Sequence, residues 1–424
     1  MSRETKNYDV VIIGAGPAGL AAANACDSSK SVLVIERESR AGGILKQCIH
    51  DGFGLVRFKE KLSGPEYAER YIEMVSKKEN VNIETLTFVT LVEKIEDGFR
   101  ITTTSREGIQ IIETKRLILA NGCRERTARQ VNIHGDRPSG VMTAGNAQNF
   151  VNLMGLLPTK KCVILGSGDI GLIMARRLKL EGVDVVGVYE AKSTPSGLSR
   201  NIQQCLIDFD IPLHLSKTVT RVFGNRRVER VEISSVDQNM VPILGTEEYI
   251  DCDALIVSVG LIPENEIAES LDILIDRKTK GPFVDQNMMT LTDGIYSVGN
   301  ALHVHDLVDY VSEVSEIAGK NVGNERERDL VQVETEGCMY LVPQYIDINS
   351  LEEKTSFFFR SNTDMLNARV AVLVNGNAVY GKRYAALRPP EMEKISVPLK
   401  VEKGDKVEVI LSFENQNECL VDTE

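Results

Sequence analysis

The chain has no tryptophan, no apolar run approaching the ~18 residues of a membrane span, no excess of positive charge and no closely spaced cysteines. The first two leave a composition of 42% apolar and 26% charged residues, that of a soluble, globular chain without a spanning helix. A formal charge of −12 speaks against non-specific nucleic-acid binding, which needs basic patches to neutralise phosphates. The eight cysteines stand at 26, 48, 123, 162, 205, 252, 338 and 419, with no C-x-x-C pair and no Cys/His cluster of metal-site spacing. That scatter argues against an iron–sulfur cluster, a zinc site or any other metal site in this chain, and removes the simplest redox dithiol. The opening MSRETKNYDVV runs directly into an apolar strand. It leaves no room for a signal peptide and points to the cytoplasm.

What the chain does have is one phosphate-gripping pattern written twice. Gly14, Gly16 and Gly19 lie in VVIIGAGPAGLAAA, and Gly166, Gly168 and Gly171 lie in CVILGSGDIGLIMA. Each follows a Val/Ile-rich run and opens into an Ala/Leu-rich helical stretch, the context that lifts G-x-G-x-x-G above chance. The first glycine permits the tight turn, the second admits a pyrophosphate to the backbone, and the third lets helix pack closely on strand. An acid follows each turn. Glu36 ends SVLVIE, 17 residues after Gly19, and Glu190 ends DVVGVYE, 19 residues after Gly171, near the ~20-residue spacing of a ribose-binding carboxylate.

At 424 residues two or three domains are expected. The fold class is α/β, with two Rossmann-like dinucleotide-binding domains and a small C-terminal β-rich domain. Residues 1–122 form the first domain, closing on the buried strand RLILANG, and 282–330 return to it through TLTDGIYSVGNALHVHDLV. Residues 123–157, rich in Gly, Pro and Asn, read as a connector with one short helix, and 158–281 as the second nucleotide domain. Residues 331–424 carry alternating stretches such as ARVAVLVNG, EKISVPLKV and DKVEVILSF, which read as an antiparallel β unit. It serves equally well as a structural cap, a dimer support or a partner-docking module.

The ordered signals GAGPAG with Glu36 and Gly42-Gly43, LILANG, GSGDIG with Glu190, and TDGIYSVGNA resemble the two-dinucleotide-binding-domain flavoproteins, the pyridine nucleotide-disulfide oxidoreductase-like family. The resemblance covers residues 8 to about 325. It implies that the NAD domain is inserted within the FAD domain. Carried over, Gly14, Gly16, Pro17, Ala18, Gly19, Glu36, Arg37, Gly43, Ala120, Gly122, Gly299 and Asn300 hold FAD. Gly166, Gly168, Asp169, Ile170, Gly171, Glu190 and Gly260 hold NAD. Two departures stand out: Asn300 replaces the family's late Asp, and the paired redox cysteines are missing, with only Cys48 in GGILKQCIHDGFG. The run RPSGVMTAGNAQNFVNLMGLLPTKKCVILGSGDIG is similar to a narrower branch. That branch holds the large subunit of sarcosine oxidase, opine oxidase and hydrogen cyanide synthase subunits, and the oxidoreductase accompanying anaerobic glycerol-3-phosphate dehydrogenase.

The resemblance implies an FAD-dependent NAD(H) oxidoreductase that passes a hydride between nicotinamide and flavin. Electrons then go to or from a partner, a substrate-oxidising flavoprotein and a small Cys-rich iron–sulfur protein, in a glycerol-3-phosphate or amine dehydrogenase complex. A homo-oligomer is also open. Two alternatives remain: a self-contained NADH oxidase or peroxidase with Cys48 as its catalytic group, and a non-catalytic FAD-binding scaffold or redox sensor. His50, His303 and His305 fall in segments the fold would bring toward the flavin, as does a helix beginning near Asp306. Glu190 favours NADH, since a carboxylate repels a 2′-phosphate, although Lys192 and Arg200 keep NADPH in play.

Overall fold

The computed structural model describes residues 5–324 and 327–413, so Cys419 and the tail of the expected C-terminal β domain lie outside the described residues. The chain divides into two compact units, Met1–Cys123 with Pro263–Glu424, and Arg124–Ile262.

In the first unit, Lys6–Ile13 buries Val10 to Ile13 without alternation, as a strand covered on both faces must. It pairs in parallel with Val32–Ile35 on one side and Gly108–Leu119 on the other. The sheet runs Val81–Glu84, Val32–Ile35, Lys6–Ile13, Gly108–Leu119, Gly98–Ser105, Phe88–Ile95. Gly108–Leu119 is long enough to serve two neighbours on one side. Its beginning pairs antiparallel with Gly98–Ser105, and its last three residues pair in parallel with Ile295–Ser297. The late chain thereby rejoins the first sheet. Helix Val308–Asn321 then packs on helix Pro17–Ala25, with Val311, Val314 and Ala318 sharing one core with Ala18 and Ala22.

The second unit holds a five-stranded parallel sheet in the order Val141–Thr143, Ala254–Val257, Lys161–Leu165, Asp184–Glu190, Leu213–Leu215. Beside it lies a four-stranded sheet containing Lys217–Phe223, Arg230–Ser235 and Glu248–Asp251. The segment expected as a connector, 123–157, is built into this unit from Arg124 onward. Val141–Thr143 is an edge strand and Ala144–Asn152 a helix whose first turn is capped by the Thr143 hydroxyl. A three-residue strand carries too little periodicity to be read in sequence. The boundary expected at 281 falls instead between Ile262 and Pro263, because Asn265 donates to the Ala301 carbonyl and fixes this stretch in the first unit.

The C-terminal region is two sheets, one of five strands and one of three. The expected antiparallel pattern has one exception: Leu330–Glu336 runs parallel to Val407–Phe413. The region has a core of its own around Phe357, Phe359, Val370 and Val372. Yet Tyr340, Val342, Phe358 and Met392 belong to the core of the first glycine motif. Arg360 pairs with Asp306, and the Met392 amide donates to the other Asp306 oxygen at 2.6 Å.

Candidate functional site

The first glycine turn is built from close approaches. Gly14 has φ of +105°, and a Cβ there would sit 2.5 Å from the Ala120 carbonyl oxygen, so both conformation and space require glycine. Gly16 caps helix Pro17–Ala25 without any side-chain hydrogen bond, and the first turn carries no acid. The leading amides are therefore left for an anion. Facing them, a Cβ on Gly43 would lie 2.8 Å from the Gly16 Cα, so the gap between the two backbones is kept narrow and free of side chains. Glu36 is buried; its Oε2 accepts from the Ala15 amide and its Oε1 from the Glu38 amide, both at 2.8 Å. Each oxygen keeps a lone pair, as a carboxylate receiving ribose hydroxyls needs. Arg37 pairs with Glu264 at 3.6 Å. Gly122 opens onto free space, as does Gly260 in the second unit. Gly14, Gly16, Glu36, Gly43 and Gly122, all in the first unit, fit the diphosphate and ribose of FAD.

The returning segment completes this site. A Cβ on Gly299 would lie 2.7 Å from the Ala18 Cβ, so the late motif presses on the start of the first helix. Asn300 turns its side chain inward: Oδ1 accepts from the His305 amide at 3.0 Å and Nδ2 donates to the Cys123 sulfur at 3.6 Å. Its amide group therefore organises the loop. The rings of His303 and His305 lie 3.9 Å apart between centroids, tilted by 31°, against Tyr340 and Phe358. Burial pushes His303 well below the usual imidazole range and His305 down to about 3, so both are neutral. The helix expected near Asp306 begins at Val308. Its first-turn acid, Asp309, accepts from the Arg57 amide at 2.6 Å and the Gly54 amide at 3.2 Å, drawing the 54–57 loop onto the late segment.

Cys48 lies just beyond Gly43 and donates to the Ile44 carbonyl at 3.4 Å. Burial pushes its thiol up to about 12, so it rests protonated, unlike a nucleophilic thiolate. His50 is half-buried, with Nδ1 3.2 Å from the Asp51 carbonyl. Among the described residues no group of three or more His, Cys, Asp or Glu could hold a metal ion.

The second turn repeats the plan. Gly166 has φ of +101° and packs against the Ser258 carbonyl, and Gly168 caps helix Asp169–Leu180. Glu190 is buried and accepts from the amides of Ser167 and Lys192, each at 3.1 Å. Two hydroxyls join it: Ser167 at 2.6 Å and Ser196 at 3.2 Å, both to Oε2. Asp169, in the first turn of the helix, accepts from the Leu198 amide and the Asn201 side chain. Ile170 and Gly171 continue that helix. Sequence reasoning missed Ser167 and Ser196; the only available signal was the serine inside GSG.

A strand paired in parallel on both sides with a glycine turn at its carboxyl end, present once in each unit, is the arrangement of two-dinucleotide flavoproteins. The chain belongs to the pyridine nucleotide-disulphide oxidoreductase family, whose model matches residues 8–318. It is an FAD-dependent NAD(P)H oxidoreductase. It is 23% identical to an opine oxidase subunit of Agrobacterium tumefaciens over 353 residues, 78% of this chain and 67% of that one. It is 26% identical to hydrogen cyanide synthase subunit HcnB of Pseudomonas protegens over 318 residues, 70% of this chain and 64% of that one. Among solved structures, thioredoxin reductase of T. acidophilum superposes with a TM-score of 0.60 at 21% identity, over 75% of this chain and 98% of that one, a likeness of fold. Among the described residues no helix is long and apolar enough to cross a membrane.

Proposed function

We propose that the first turn holds FAD, that the second presents NADH to it, and that the enzyme exchanges electrons with a separate protein. The observation that carries this reading is the repeated turn, each copy with a buried carboxylate accepting amides from its own loop. Bound FAD and NADH themselves supply the hydride exchange. The chain's part is to bind and orient. Uncapped amides at the start of Pro17–Ala25 would meet a diphosphate, and Glu36 and Glu190 would hold ribose hydroxyls. No side-chain acid or base is required for that half-reaction.

The sequence has no C-x-x-C pair, and the thiol of Cys48, the one cysteine in GGILKQCIHDGFG, is held protonated. Both support an external electron partner over a disulfide or peroxide substrate. Relatives named as subunits of opine oxidase and hydrogen cyanide synthase support a multi-subunit assembly, which we place in the cytoplasm. Its other members would be a flavoprotein that oxidises an amine or glycerol 3-phosphate and a small Cys-rich iron–sulfur protein.

Anaerobic stopped-flow mixing tests the nicotinamide assignment. Flavin absorbance should bleach with kcat/KM at least about tenfold higher for NADH than for NADPH, the discrimination of one unfavourable charge contact; a preference for NADPH would remove Glu190 from the role of ribose acceptor. Co-purification from the native host tests the partner, and a catalytically complete homo-oligomer would sink it.

A further inference from the structure

The two turns are close enough in plan to be compared residue by residue. Six and seven residues after Glu36 come Gly42 and Gly43; six and seven after Glu190 come Ser196 and Gly197. The middle residue of the glycine turn is Ala15 in the first and Ser167 in the second. In the first, the Gly42 amide donates to the Ala15 carbonyl at 2.8 Å. In the second, the Ser196 amide donates to the Ser167 hydroxyl at 2.9 Å. The second turn thus has two hydroxyls the first lacks, and both point to the same carboxylate oxygen.

The consequence is a difference in vacancy. Glu36 takes one donor on each oxygen. Glu190 takes one on Oε1 but three on Oε2: the Ser167 amide at 3.1 Å, the Ser167 hydroxyl at 2.6 Å and the Ser196 hydroxyl at 3.2 Å. A carboxylate oxygen offers two lone pairs, so Oε2 is already over-subscribed. The Ser196 contact is the longest of the three. It also comes from a loop that lies over the turn, where a Cβ on Gly197 would meet the Ser167 carbonyl at 2.8 Å and Asp169 Oδ1 at 3.0 Å.

We propose that Ser196 is a specificity-determining residue of the second turn, its hydroxyl standing where a ribose hydroxyl of the nicotinamide dinucleotide must bind and yielding that place when the dinucleotide enters. This rests on the reading that Glu190 is the ribose acceptor. Ser196 weakens binding of the dinucleotide and blunts its discrimination for the ribose, while Ser167, anchored at its own amide, keeps the carboxylate oriented. The affinity of the nicotinamide site is thereby lowered by the protein's own loop.

The test is equilibrium binding of NAD+ and of 2′-deoxy-NAD+ (lacking the adenosine 2′-hydroxyl) to the FAD-loaded enzyme by titration calorimetry. Ser196→Ala should lower the Kd for NAD+ about three- to tenfold, the size of one hydrogen bond released, and should widen the gap between NAD+ and the deoxy analogue. Ser196→Thr, which keeps the hydroxyl, should bind NAD+ as the wild type does. Glu190→Ala should weaken NAD+ binding and abolish the gap. If Glu190→Ala weakens binding but Ser196→Ala leaves it unchanged or weaker, the role of Ser196 is overturned and the ribose assignment stands. If Glu190→Ala has no effect on NAD+ binding, the ribose assignment itself falls.

Discussion

The Glu36 turn and the Glu190 turn have the same glycine spacing, the same strand-to-helix context and a buried acid at the end of the following strand. They differ in what surrounds that acid. Around Glu36 the loop contributes backbone only, and glycines line both sides of the gap. Around Glu190 the loop contributes hydroxyls, and an acid, Asp169, stands in the first turn of the helix where the first motif has none. A site for a resident cofactor gains from vacancy and tight closure. A site for a dinucleotide that must leave after each turnover gains from competitors built into the protein. On the proposed assignment, the contrast is the one expected between a resident FAD and an exchanging NADH.

The strongest way to break this contrast is to disable each turn separately. Gly14→Ala and Gly166→Ala both force a Cβ into a carbonyl at positive φ, a strain of about 2–4 kcal/mol in each unit. The first should yield protein without flavin absorbance. The second should keep its flavin and lose at least about 90% of NADH-driven bleaching. Loss of flavin from Gly166→Ala would mean the two turns do not have separate clients.

A smaller effect is a pH dependence within the first unit, which holds His303, His305 and Asp285 alike. His303 and His305 in the first unit have folded pKa values below the unfolded value, so the unfolded chain binds more protons below about pH 6.5 and stability falls as pH falls. Asp285 works the other way: burial raises it to about 6, so its proton is held better in the folded state and adds stability between about pH 6 and 4. From pH 7.5 to 5.5 the two imidazoles outweigh the one carboxyl, a net loss of about 2 kcal/mol. Thermal release of flavin fluorescence should therefore move down by about 2–4 °C. An unmoved midpoint would show that the two buried imidazoles are not held neutral.

The smallest effect is expected at Cys48, which has no counterpart beside the second turn. With its thiol protonated and donating to Ile44, Cys48→Ser should change NADH-to-dye turnover by less than about twofold. Abolished peroxide turnover in the same variant would restore the thiol as a reacting group.

The glycines and acids of both turns were legible in sequence because each motif is local: a turn, a helix start and a strand end within about 25 residues. The return of 299–321 to the first sheet was legible too, through its strand-turn-helix pattern. What was not legible depends on chain segments far apart. Ser196 reaches Ser167 from 29 residues away, and Asn300 uses its amide on Cys123 and the His305 backbone, neither of which a motif encodes. The strand Val141–Thr143 was lost in a Gly- and Asn-rich segment because a parallel edge needs only three residues once Ala254–Val257 is there to receive it.

The shared core of the first turn and the C-terminal sheets also bears on biosynthesis. Phe358 and Met392, which close the same core as Ala18 and Leu20, emerge from the ribosome more than 330 residues after them. The first nucleotide fold must wait through more than 330 residues of synthesis with one side unfilled. Nascent chains arrested before Met392 should accordingly fail to retain flavin, and loading of FAD becomes a step that follows synthesis.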